Sequence, residues 1–127
     1  MRGRAELTLA RSPDAARRAR RFVDRICTDW RFPALCEDAE TIASELVENT
    51  LQHTGSQPQL CLERRPDGLT ISVSDDAPEH AYIRQADSYG GFGMLMVSKT
   101  AAEWGCTTAP AGGKTVWARL ETALSCQ

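Results

Sequence analysis

Glu45, Asn49 and His53 recur every four residues, and Asn49 is the single asparagine of the chain. Asparagine favours caps and turns over helix interiors, because its side chain competes for backbone hydrogen bonds. An asparagine one turn after a glutamate, inside a stretch of helical periodicity, is therefore informative. On a helical wheel Asn49 and His53 stand about 40° and 80° round from Glu45, along one edge of the apolar arc. Glu45 and Asn49 can present a carboxylate and an amide oxygen to one small site, the donors that a hard cation such as Mg²⁺ takes. Three more features follow in order. Asp75-Asp76-Ala77-Pro78 leaves an alternating segment, which holds a carboxylate at a strand end. Gly90-Gly91-Phe92-Gly93 precedes a helical pattern; free N–H groups at a helix start attract anions, and glycine lets the backbone approach closely. Gly112-Gly113-Lys114-Thr115 opens the last strand with a second such turn. Taken singly, a polar i,i+4 pair is a solvated helix edge and a Gly-Gly step is a hairpin turn. The ordered set outlines a site for an anion and a metal.

These groups need elements to hold them. Glu6 to Ala10 alternates and predicts a short strand. Ser12-Pro13-Asp14 reads as N-cap, N1 proline and first-turn acid of a helix that runs to about Trp30. In it Ala15, Ala19, Phe22, Val23 and Ile26 form an apolar stripe, and Arg17, Arg18, Arg20, Arg21 and Arg25 fill much of the remainder. A second helix is expected from about Leu35 to Thr54, with Gly55 as its stop signal. Ala39, Ile42, Ala43, Leu46, Val47, Thr50 and Leu51 make its core face. Gln59–Glu63 and Leu69–Ser74, joined through Pro66-Asp67-Gly68, predict a β-hairpin. Residues 76–92 read as a long functional loop, followed by a helix from Gly93 to Glu103. Strands are expected at Trp104–Thr107 and Thr115–Leu120. The order β-α-α-β-β-loop-α-β-β predicts an α+β two-layer sandwich, with helices on one face of a mostly antiparallel sheet.

Composition narrows the classes. A chain of 127 residues predicts a single domain. No run of about 18 apolar residues exists, which excludes a membrane-spanning helix, and Met1-Arg-Gly-Arg leads into no apolar region of the secretory kind. The net charge of −2 hides a split: residues 1–31 hold nine arginines against four acids, and the remainder is acidic. An arginine stripe could meet phosphates of nucleic acid, but the chain is acidic overall and carries no recognition motif. Docking of an acidic protein partner is the reading that fits. The five cysteines, Cys27, Cys36, Cys61, Cys106 and Cys126, include no closely spaced pair of the zinc-binding kind. They read as small apolar fillers or as thiols in a reducing compartment. Trp30, Trp104 and Trp117 read as core or subunit-interface aromatics.

The chain resembles the GHKL ATPases, the superfamily shared by histidine kinases, gyrase and heat-shock chaperones. Glu45-Leu-Val-Glu-Asn49-Thr-Leu-Gln-His53 looks like the N box, Asp75-Asp76-Ala77-Pro78 the G1 box, and Gly91-Phe92-Gly93-Met94 the G2 box. Gly113-Lys114-Thr115 resembles the segment after the lid helix. The short form, the Arg-rich first helix and the ending Lys114-Thr115-Val116-Trp117 are most similar to the actinobacterial relatives of anti-sigma factor serine kinases. The likeness covers about Leu7 to Leu120 and implies a Bergerat-type ATP-binding fold over residues 1–127. It further implies that Asn49 coordinates the Mg²⁺ on ATP and that Glu45 is the general base toward a substrate serine. Asp75 would accept from the adenine amino group, with Ala77 beside it and Thr115 nearby. Gly91, Phe92, Gly93 and Met94 would line the phosphate site beneath a lid of residues 79–90. Ala77 and Glu79 stand where the G1 pattern has glycines. The activity implied is phosphorylation of an anti-sigma factor antagonist and sequestration of a sigma factor, by a cytoplasmic homodimer. A non-catalytic ATP-binding module for partner docking is the alternative.

Overall fold

A computed structural model describes residues 3–76, 97–110 and 112–122. Five strands and two long helices occur in the order β1 (Arg4–Thr8), α1 (Ala15–Trp30), α2 (Pro33–His53), β2 (Gln59–Arg65), β3 (Gly68–Asp75), β4 (Glu103–Thr108) and β5 (Lys114–Glu121). Residues 97–100 are helical as well. The strands form one sheet in the order β1-β2-β3-β5-β4, antiparallel throughout. The helices cover one face, so the molecule is an α+β two-layer sandwich. None of its described helices is long and apolar enough to cross a membrane.

Alternation decides what the sheet buries. Leu69, Ile71 and Val73 of β3 pair with Leu120, Ala118 and Val116 of β5 and point at the helices. Leu60 and Leu62 of β2 extend the same inward rows. Between them, Thr70, Ser72, Thr115, Trp117 and Arg119 occupy the open face at graded exposure. Alternation of this kind is what a sheet solvated on one side requires.

The helices follow their periodicity. On α1, Ala15, Ala19, Phe22, Val23, Ile26 and Trp30 are buried; on α2, Leu35, Ala39, Ile42, Ala43, Leu46, Val47 and Thr50 are buried. Leu51, at the margin of the expected arc, is half-buried. α1 packs along α2, and α2 lies over β3 and β5.

The helix ends differ in part from expectation. Ser12 does not cap α1; Asp14 occupies the N-cap position without a side-chain cap bond, and the Ala15 N–H donates to the Ser12 carbonyl. The Ser12 hydroxyl instead bonds the Asp14 carboxylate, a local bond that competes with capping. α2 ends at His53, just before Gly55, close to the expected stop. Thr54 caps it in an extended conformation, and its hydroxyl donates to the Thr50 carbonyl at 2.9 Å. Arg11 reaches the same helix end and donates to the carbonyls of Leu51 and Ser56. A cation there satisfies orphan carbonyls and suits the negative end of the helix dipole. The helix expected to reach Glu103 is helical only through residue 100, and Glu103 belongs to β4, where it pairs with Arg119.

Gly68 opens β3 where a side chain has no room. A Cβ there would overlap the Leu120 carbonyl across the β3–β5 ladder. Gly68→Ala should therefore cost at least the roughly 1–3 kcal/mol typical of overpacking. Urea denaturation checks this; an unchanged midpoint would mean that the ladder tolerates a shift at this corner.

Candidate functional site

Glu45 and Asn49 stand one helical turn apart on α2, both half-buried, beside the fully buried Leu46 and the buried Thr50. His53 follows in the last turn, half-buried. Partial burial raises the Glu45 carboxyl pKa above its ordinary value, and the neighbouring charge of Glu48 pushes the same way. Both causes disfavour the charged form. A carboxyl shifted upward holds its proton to higher pH than a free glutamate does.

The C-terminal end of α2 and the end of β3 are tied together. The Ser56 hydroxyl and the Asp76 carboxylate are 2.7 Å apart, and the Asp76 N–H donates back to Ser56 Oγ at 3.0 Å. This reciprocal pair joins residues twenty positions apart and sets where the chain leaves β3. The sequence reading did not find it, since neither residue carries a periodic signal.

Asp75 continues the inward row of β3 and is buried. Lys114 does the same on β5 and pairs with Asp75 in register. The Lys114 ammonium lies 3.2 Å from Asp75 Oδ1, with the two side chains 0% and 1% exposed. Charges are found this deep only when paired. The signal was present in the sequence, because Lys114 shares its parity with Val116, Ala118 and Leu120, which face the helices.

Thr115 stands on the other face of the sheet. Its hydroxyl is 2.8 Å from that of Ser74, its register partner. Thr115 is thus adjacent to Asp75 along the ladder while its side chain projects away from the helices. The Gly112-Gly113 turn behaves as its composition requires: both residues have positive φ, 105° and 89°. A Cβ on Gly113 would come within 2.5 Å of the Asp75 carbonyl oxygen. Glycine here lets the β4–β5 turn close against the end of β3.

Ala77, Glu79, His80, Gly91, Phe92, Gly93 and Met94, with the expected lid at 79–90, lie outside the described residues. Of the tryptophans, Trp30 is core, Trp104 is exposed, and Trp117 is half-buried on the open face with its ring over Gly105.

A second feature lies between β1 and α1. Leu7 and Phe22 floor a groove between β1 and α1, rimmed by Arg18, Arg21 and Arg25. The Arg25 guanidinium sits 5.6 Å from the Phe22 ring centre, a cation–π distance. The arginine stripe thus borders apolar surface.

The fold and these residues define a class by architecture: an α+β sandwich whose second helix carries a Glu-Asn pair and whose central strands end in a buried Asp-Lys pair. No protein-family model and no curated protein matches the chain.

Proposed function

We propose that this protein is an ATP-binding regulator of the GHKL kind, a cytoplasmic protein serine kinase. In this reading it phosphorylates an anti-sigma factor antagonist and sequesters a sigma factor. The observation that carries the proposal is the pairing of Glu45 and Asn49 on one edge of α2, with the Glu45 carboxyl raised by burial. The linkage of the end of α2 to the end of β3 through Ser56 and Asp76 supports it, since the reading needs both ends around one nucleotide.

The donor set suits the cation that the reading requires. Asn49 supplies an amide oxygen, and Mg²⁺ takes one or two protein oxygens while substrate phosphates and water complete its shell. When bound, the ion neutralises phosphate charge. Glu45 accepts the proton of the substrate serine hydroxyl as its oxygen attacks the γ-phosphorus, and the bond to the ADP oxygen breaks. Little further covalent chemistry falls to the protein, because phosphoryl transfer depends chiefly on positioning and charge stabilisation. Asp75 serves as acceptor for the adenine amino group, with one carboxylate oxygen fixed by Lys114. The groove of Arg18, Arg21 and Arg25 is the docking surface for an acidic protein partner.

Calorimetric titration with ATP tests the site. Wild-type protein should bind with Mg²⁺ and at least tenfold more weakly without it. Asn49→Ala should abolish that difference. Binding that is absent, or indifferent to Mg²⁺ in the wild type, would overturn the assignment.

One observation favours the second reading, a non-catalytic docking module. The carboxylate assigned to adenine already holds a buried ion pair with Lys114, and Ala77 and Glu79 replace the glycines that normally follow it. Both features lie at the adenine end of the site, so they lower the expected nucleotide affinity, and fast turnover with it.

A further inference from the structure

The hairpin of α1 and α2 brings together three side chains that the reading above does not use. Asp24 lies on α1; Cys36 and Glu40 lie one turn apart near the start of α2. The Cys36 sulfur is 3.3 Å from Asp24 Oδ1 and 3.1 Å from Glu40 Oε2. One ligand atom from each of the three falls within 4.8 Å of the other two. Cys27, fully buried on α1, adjoins the Cys36 thiol from the core side.

Proton counting makes the cluster unusual. A thiol has one hydrogen and can donate to one acceptor at a time. Here two carboxylates approach that sulfur at donor distance, so one contact always sets two acceptors against each other. A single divalent cation at the centre would satisfy all three at once.

The dimensions agree with that. In a tetrahedral zinc site, Zn–S near 2.3 Å and Zn–O near 2.1 Å put sulfur and oxygen about 3.6 Å apart. The two observed sulfur–oxygen separations are within half an ångström of this, and the two carboxylate oxygens lie within 4.8 Å of each other. A thiolate with two carboxylates favours zinc-like ions over Mg²⁺ or Ca²⁺, which take oxygen alone. Asp24 is exposed and Cys36 and Glu40 are half-buried, so the cluster is open to solvent.

We propose that Asp24, Cys36 and Glu40 form a site for one divalent cation of the zinc class, which clasps α1 to α2 near their turn. The site is independent of the nucleotide reading. Binding exchanges the Cys36 thiol proton for the metal, because the thiolate is the ligand.

Cobalt(II) titration of the full chain, reduced and stripped with chelator under anaerobic conditions, tests this. One equivalent should produce a thiolate-to-cobalt charge-transfer band and the intense visible bands of tetrahedral coordination, and Zn²⁺ should displace both. Cys36→Ser should abolish the charge-transfer band. Asp24→Asn and Glu40→Gln should each weaken binding at least tenfold, and Cys61→Ser should leave it unchanged. Thermal melts in chelator check that each variant folds. A band that survives in Cys36→Ser, or cobalt bound with no thiolate band in the wild type, overturns the proposal.

Discussion

Lys114→Met should lower the free energy of unfolding by about 3–5 kcal/mol, the usual cost of removing one partner from a buried ion pair. The change keeps the shape of the side chain and removes the ammonium. Asp75 is then left buried without the charge that faces it at 3.2 Å. Much of the loss is the penalty for that stranded carboxylate. Asp75→Leu combined with Lys114→Met should therefore recover most of it, since well-packed apolar replacements of a buried pair are often neutral or stabilising. Denaturant melts of the four proteins of the cycle measure this directly. A single variant that loses under 1 kcal/mol would mean that water reaches the pair. A double variant as unstable as the single would mean that the pair also fixes the β3–β5 ladder at its end. On the functional reading the double variant should also lose ATP affinity, which separates stability from binding at this position.

Glu45→Ala should reduce phosphoryl transfer to a serine substrate by roughly 10²–10⁴-fold, the range for loss of a general base. Nucleotide affinity should change little, because the assigned metal ligand is Asn49. The pH profile gives a sharper readout. Burial, and then the charge of Glu48, raise the Glu45 carboxyl above its ordinary value. The active base form should appear only as pH rises through that raised value, so the acidic limb of the rate profile should lie above the ordinary glutamate range. Glu48→Gln removes the like charge and should move the limb downward. Stability runs the opposite way. A carboxyl with a raised folded-state pKa stabilises the fold at pH below its unfolded value and loses that contribution as pH rises through the folded value. ATP binding that persists in Glu45→Ala without any transfer in the wild type would leave the docking-module reading standing.

How much of this was legible beforehand depended on the range of the interaction. The apolar stripe of α1, and the arc of α2 from Ala39 to Thr50, came from a 3.6-residue period that one helix satisfies by itself. The inward rows of β3 and β5 came from a period of two. Both are local consequences of backbone geometry and need no knowledge of neighbours. Helix ends were less legible in detail: Ser12 gave its hydroxyl to Asp14, and at the end of α2 the Thr54 hydroxyl turns back to the Thr50 carbonyl. In each place a short polar side chain had several backbone and side-chain partners of similar energy.

The chain by itself therefore determined the sequence of elements, the faces they bury, and the presence of Glu45 and Asn49 on one edge of α2. Tertiary structure alone decided which separated polar groups meet. Asp75 and Lys114 are 39 residues apart and became a pair only through the register of β3 with β5. Asp24 lies twelve residues from Cys36, on a different helix, and became its neighbour only when α1 turned back on α2. The cysteine spacing argued against a zinc site, and such rules describe ligands held on one short loop. Two packed helices bring side chains together from facing surfaces, and that geometry leaves no mark in linear spacing.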